Sequence, residues 1–152
     1  MATDKVKSLV DEGKSALGRG DTLTALSLFE KAAETPGDLS ARSFLAYCMA
    51  KERGLAARGI AVCRECLERE PDNALHYLNL GRIYLIMRKR GEAIAVFREG
   101  LKRERNEDIV AELNRLGVRS APVLRFLSRN NPINKYLGIL LTMLKIRSSS
   151  CR

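Results

Sequence analysis

The chain has 152 residues, 45% apolar and 30% charged, with a net charge of +9. That length suits one domain with a real core. No tryptophan, 5% aromatics and four prolines argue against an all-β sandwich, and abundant Ala, Leu, Glu, Lys and Arg favour helices.

The opening stretch MATDKVKSLVDEGK is polar and carries acids, so it lacks the apolar core of a secretory signal. The longest apolar run, YLGILLTML at 136–144, falls short of the roughly 20 residues that span a bilayer. A cytoplasmic location is therefore expected, with the cysteines reduced. Charge is uneven along the chain. Residues 1–39 hold five cations against seven acids, and residues 108–152 hold eight against two. Such asymmetry fits an acidic partner or a well-solvated basic surface.

In chain order the sequence repeats with a step of 34 residues. Gly13, Tyr47 and Gly81 share a column, as do Ala16, Ala50 and Tyr84. So do Ala25, Gly59 and Ala93, then Phe29, Cys63 and Phe97, then Ala32, Cys66 and Gly100; Gly20 aligns with Gly54. Each unit reads as two amphipathic helices joined by a tight turn. In the third, Tyr77, Leu80, Tyr84 and Met87 fall on one face, and Ile94, Phe97 and Leu101 build the facing stripe. Asp21 or Thr22 caps the first unit's second helix, and Asp72 or Asn73 caps the third unit's first helix. Pro36 and Pro71 end the helices before them.

Residues 108–152 leave this pattern. Asn106 or Asp108 opens a short helix, IVAELNRLG, that Gly117 stops. A further turn of helix is expected around residues 123–127, and Pro132 opens a last apolar helix over about 132–146. Residues 148–152 read as a disordered tail.

The stretch YLNLGRIYLIMRKRGEAIAVF resembles a tetratricopeptide repeat, whose pattern is W-x2-L-G-x2-Y, then A-x3-F, then P. Tyr77 takes the Trp column, followed by Leu80, Gly81, Tyr84, Ala93 and Phe97, with Arg105 where the pattern has Pro. The resemblance implies an all-α solenoid of antiparallel helix pairs, with repeats at 6–39, 40–73 and 74–107. Residues 108–147 would be capping helices of the same domain.

Cys63-Arg64-Glu65-Cys66 has the spacing of a metal or redox pair. Yet Cys63 sits in the column of two phenylalanines, and Cys66 in one of small residues. Both are expected as core side chains, with no second pair to complete a zinc site. His76 is expected at the surface. With one histidine, no Gly-rich loop and no nucleophile–base pairing, neither an enzyme nor a cofactor is expected.

The resemblance implies a protein-binding groove lined by each repeat's first helix. On this chain that places Lys7 and Lys14, then Phe44 and Cys48, then Leu78, Asn79, Arg82 and Leu85 as partner-binding residues. The columns with which a known subgroup clamps a peptide carboxylate hold Val10, Lys14, Leu45, Leu75 and Asn79 here. Only Lys14 supplies a matching charge, so the expected ligand is an amphipathic or acidic protein segment. The chain's own C-terminal helix is the alternative occupant. That helix could also join two copies of the chain or, as a weaker reading, lie on a membrane.

Turns within repeats should gather on one edge, bringing together Arg19, Lys51, Arg53, Arg58, Arg88, Lys89 and Arg90 against Asp21, Glu52 and Glu92. A basic edge permits nucleic acid as a second partner class. The lack of interleaved aromatics counts against it.

Overall fold

A computed structural model of the protein describes residues 2–35 and 37–118. Among them are seven helices and no strand: α1 (Ala2–Gly18), α2 (Thr22–Ala33), α3 (Leu39–Arg53), α4 (Ala56–Arg69), α5 (Ala74–Ile86), α6 (Arg90–Arg103) and α7 (Glu107–Arg115). The expected turn near 123–127, the apolar helix at 132–146, the tail and Pro36 lie outside the described residues.

Local chemistry sets the helix starts. Asp21 accepts from Thr24 N at 3.1 Å, Asp38 from Ala41 N at 2.7 Å, Asn73 from Leu75 N at 3.1 Å and Asn106 from Ile109 N at 3.0 Å. Each side chain satisfies an amide that the first helical turn leaves without a partner. The Thr24 hydroxyl and amide also hold the Asp21 carboxyl below its usual range. Leu55 precedes α4 and Lys89 precedes α6 at the capping position, neither with a side-chain cap bond.

The turns inside the three hairpins share one backbone device at 34-residue intervals. Gly20, Gly54 and Arg88 have φ of 81°, 69° and 60°. That left-handed region is free to glycine and strained for arginine. The expected alignment of Gly20 with Gly54 thus extends to a non-glycine in the third hairpin.

Consecutive helices pair as α1–α2, α3–α4 and α5–α6, and the pairs stack through α2 on α3, α3 on α5 and α4 on α5. Helix α7 packs on α6. It begins 33 residues after α5, so the helix spacing continues for one element where the sequence columns stop. Helix α5 lies against three helices and is the most enclosed: Ala74, residues 76–81 and Ile83 are all buried. The expected stripe on α5 ends at Tyr84, because Met87 lies past the helix end and is exposed.

Helix pairs close through one large and one small side chain. A methyl group at Gly13 would come within 2.6 Å of Phe29 Cζ, and one at Gly81 would overlap the Phe97 ring. Phe29 and Phe97 are fully buried. In the middle pair the sizes are exchanged: Tyr47 occupies the glycine column and packs on the cluster that holds Cys63, in the phenylalanine column. Gly100 makes room for Tyr77 in the same way, a methyl there reaching 2.7 Å from Tyr77 Cβ.

Overpacking of this kind costs about 1–3 kcal/mol. Gly81→Ala should therefore destabilise the protein by about 2 kcal/mol, read as a lowered midpoint in urea. Gly18→Ala, where nothing lies within 4 Å of the added carbon, should be neutral or slightly stabilising.

Candidate protein-interaction face

Helices α1, α3 and α5 are the first members of their pairs, and the structure sorts the eight expected groove residues into two groups. Phe44, Cys48, Leu78 and Asn79 are buried, at 2% exposure for Phe44 and none for the others. This corrects the expectation that they line an open groove. Phe44 stacks on Phe29 with ring centroids 5.0 Å apart and planes 8° from parallel, in a core cluster that includes Cys48. Asn79 Nδ2 donates to Ser43 Oγ at 3.0 Å, tying α5 to α3, and the Ser43 hydroxyl donates to Ser40 O at 3.1 Å.

Lys7, Lys14, Arg82 and Leu85 form the second group. Lys7 is exposed and Leu85 half-buried. Lys14 lies 5.7 Å from the centroid of the Phe44 ring and 3.8 Å from Asp11 Oδ1. Arg82 lies 5.6 Å from the centroid of the Tyr47 ring, with Nε donating to Glu112 Oε1 at 2.8 Å. Phe44 and Tyr47 are three residues apart on α3 and so share a face. Two cations, one from α1 and one from α5, thus stand over successive rings of α3. A cation over an aromatic face gains from the ring quadrupole, more so when partly desolvated.

Sequence reasoning did not single out Tyr47, Ser43 or Glu112 for this region. Tyr47 was visible as the bulky residue in a glycine column. Ser43 and Glu112 act through partners 36 and 30 residues away, and no local pattern marks them. Burial raises the Tyr47 hydroxyl above its ordinary pKa, and the Arg82 charge partly offsets this.

His76 also departs from expectation, for it is fully buried. Its Nε2 lies 2.9 Å from Glu70 Oε2, which also accepts from Asn73 Nδ2 at 2.9 Å. Those bonds, the one from Asn73 foremost, hold the Glu70 carboxyl below its usual range. The cluster joins the end of α4 to the start of α5 and is a helix junction.

The paired cysteines face α3. Cys66 Sγ lies 3.6 Å from Leu39 O and Cys63 Sγ 3.9 Å from Ser43 O, so both thiols donate to carbonyls of that helix. Among the described residues no three His, Cys, Asp or Glu side chains are placed to hold a metal ion. Burial pushes the Cys48 thiol up to about 12 and raises Cys63 and Cys66 as well. Since the thiolate is the reactive form, all three should resist alkylation at pH 8 until denaturant is added, as peptide mapping would show. Rapid labelling of Cys63 and Cys66 in the folded protein would contradict their packing.

The Arg82–Glu112 pair links α5 to α7 with both side chains largely screened from water, at 21% and 9% exposure. Truncating Arg82 leaves a mostly buried carboxylate with, among the described residues, only Arg115, at 3.5 Å, as a charged neighbour. Arg82→Met should cost about 2 kcal/mol, and Glu112→Gln less because the amide keeps an acceptor. Denaturant midpoints for the two single variants and their double would measure the coupling.

Comparison with known proteins agrees with this geometry. The family model described as tetratricopeptide repeat matches residues 77–107. Twenty chains of known structure are similar. One is the crystal structure of the P58(IPK) TPR domain, 20% identical, with a TM-score of 0.53 over 76% of this chain and 34% of that one. This chain thus spans about a third of that structure's length, and the likeness is one of fold. No curated protein matches. Among the described residues no helix is long and apolar enough to cross a membrane.

Proposed function

Taking the chain as its third repeat and its fold make it, a tetratricopeptide-repeat solenoid, we propose that it is a non-enzymatic adaptor binding another protein. The ligand would be an amphipathic segment with acids, laid along the first-helix face of residues 1–107, with residues 108–147 completing the domain.

The observation that carries this reading is the pair of cations, Lys14 and Arg82, set over Phe44 and Tyr47 of α3 from either side. Acidic side chains of a bound segment would meet Lys14 directly, with Lys7 further along α1. Leu85 would supply apolar contact. Arg82 would be shared with Glu112 or released from it, so Lys14 is the cleaner probe. The buried Phe44, Cys48, Leu78 and Asn79 support the face from within. Three helix pairs make a short surface, and an affinity in the range of about 1 μM is expected.

A peptide display selection against the full chain at moderate salt, followed by titration of the enriched peptides, tests this. Sequences mixing apolar residues with acids should emerge, and Lys14→Glu should weaken them about tenfold while the variant stays folded at the assay temperature. Enrichment without acids, or affinity indifferent to Lys14→Glu, would refute the assignment.

A further inference from the structure

The large hydrophobic side chains exposed among the described residues are Leu23, Leu55, Ile86 and Met87. All four lie at or beside the turns inside the hairpins, on the edge where basic residues gather. Lys51, near the end of α3, donates to Thr22 Oγ1 at the start of α2 at 2.6 Å, which sets the second turn beside the first. A methyl group at Gly59, in the first turn of α4, would lie 3.0 Å from Ile83 Cδ1 near the end of α5, which sets the third turn beside the second. The hairpin tips therefore form a row.

The second and third tips combine apolar and cationic side chains. Leu55 and Ile86 are each 39% exposed and Met87 38%. The side chains of Arg58, Arg88 and Lys89 make no hydrogen bond or ion pair among the described residues. Arg90 is exposed and reaches back to the Leu116 carbonyl, while Arg53 is engaged by Glu30 at 2.7 Å. The acids of these two tips are Glu52 and Glu92, both exposed.

The capping bond of the first turn has no counterpart at these tips. The first turn has Gly20 in the left-handed position and Asp21 as the bonded cap. Thirty-four residues on, the capping position holds Leu55, and a further thirty-four on the two positions hold Arg88 and Lys89. Leucine and lysine cap poorly, and arginine at positive φ is strained. Each departure from the first turn's solution adds an exposed apolar or cationic side chain. Strain kept at an exposed site points to a use for the residue that bears it.

We infer that this edge docks on an anionic lipid surface, with Leu55, Ile86 and Met87 entering the headgroup layer and Arg58, Arg88 and Lys89 meeting lipid phosphates. Projecting tips suit a planar partner, whereas a protein helix needs a recess to cover its apolar face. A nucleic acid would gain nothing from aliphatic tips, and the two turns carry no aromatic ring for bases to stack on. Basic residues beside an anionic leaflet and apolar side chains at its boundary contribute additively. This use of the edge is separate from the first-helix face and does not depend on it.

The test is co-sedimentation of the full chain with phosphatidylcholine vesicles, with and without about one-third phosphatidylserine, at about 0.15 M salt. The native protein should sediment only with the anionic vesicles. Leu55→Asp/Arg88→Gly/Lys89→Asp restores the first turn's solution, so its melting temperature should be unchanged or higher while partitioning falls at least about 25-fold. Arg88→Gly alone relieves the strained backbone and should weaken partitioning about fivefold, which separates lost contact from lost folding. Ile86→Ser/Met87→Ser, with every cation kept, should weaken it about tenfold. The inference is overturned if native protein ignores the anionic vesicles, if the triple variant partitions like native, or if polyuridylate RNA is bound and vesicles are not.

Discussion

Everything in this solenoid depends on how closely the two helices of each pair approach, and that distance is set by one side chain opposite another. Where Phe29 and Phe97 fill the crossing, the facing position has to be glycine. Close approach lets the ring be fully buried and leaves the helices near enough for the next pair to stack in register. A full-sized residue on both sides would push the helices apart and lose contacts along their whole length. The hairpin is thus specified by the sum of two volumes, a quantity belonging to neither residue alone.

This explains why so much of the architecture could be read from the sequence. The 34-residue columns are those volume pairs repeated, and capping residues such as Asp21, Asn73 and Asn106 act within three residues of themselves. Both kinds of signal are local or strictly periodic. The surface of the first helices was only half legible because an apolar residue there serves the interior and an exterior groove equally well. Phe44 and Leu78 fit either role until the neighbouring helices are in place. Lys14 and Arg82 could be placed away from the interior because a charged side chain resists full burial. His76 was misread for the converse reason: its burial rests on Glu70, six residues earlier across a turn.

The two surfaces of the solenoid differ in how their charges are held. On the first-helix face, Arg82 is fixed between a ring and a carboxylate and Lys14 lies over a ring, so the cations have defined positions. At the hairpin tips, Arg58, Arg88 and Lys89 have no such partners among the described residues. Fixed charges favour a ligand with one complementary arrangement, while loosely held ones favour a partner whose charges are themselves mobile. Arg82 is held because α5 is flanked by neighbours, whereas Arg58, Arg88 and Lys89 stand at turns.

The exchanged pair in the middle hairpin, Tyr47 with Cys63, bears on how such a chain can change. Passing from a glycine–phenylalanine crossing to a tyrosine–cysteine one takes two substitutions, and their order matters. Shrinking the phenylalanine first leaves a cavity, which weakens the pair yet preserves its geometry. Enlarging the glycine first puts a phenol where a ring already sits, and the hairpin cannot close. The accessible route therefore runs through the hollow intermediate. A repeat moved from one position of the stack to another carries its own crossing with it only if both members of the pair travel together.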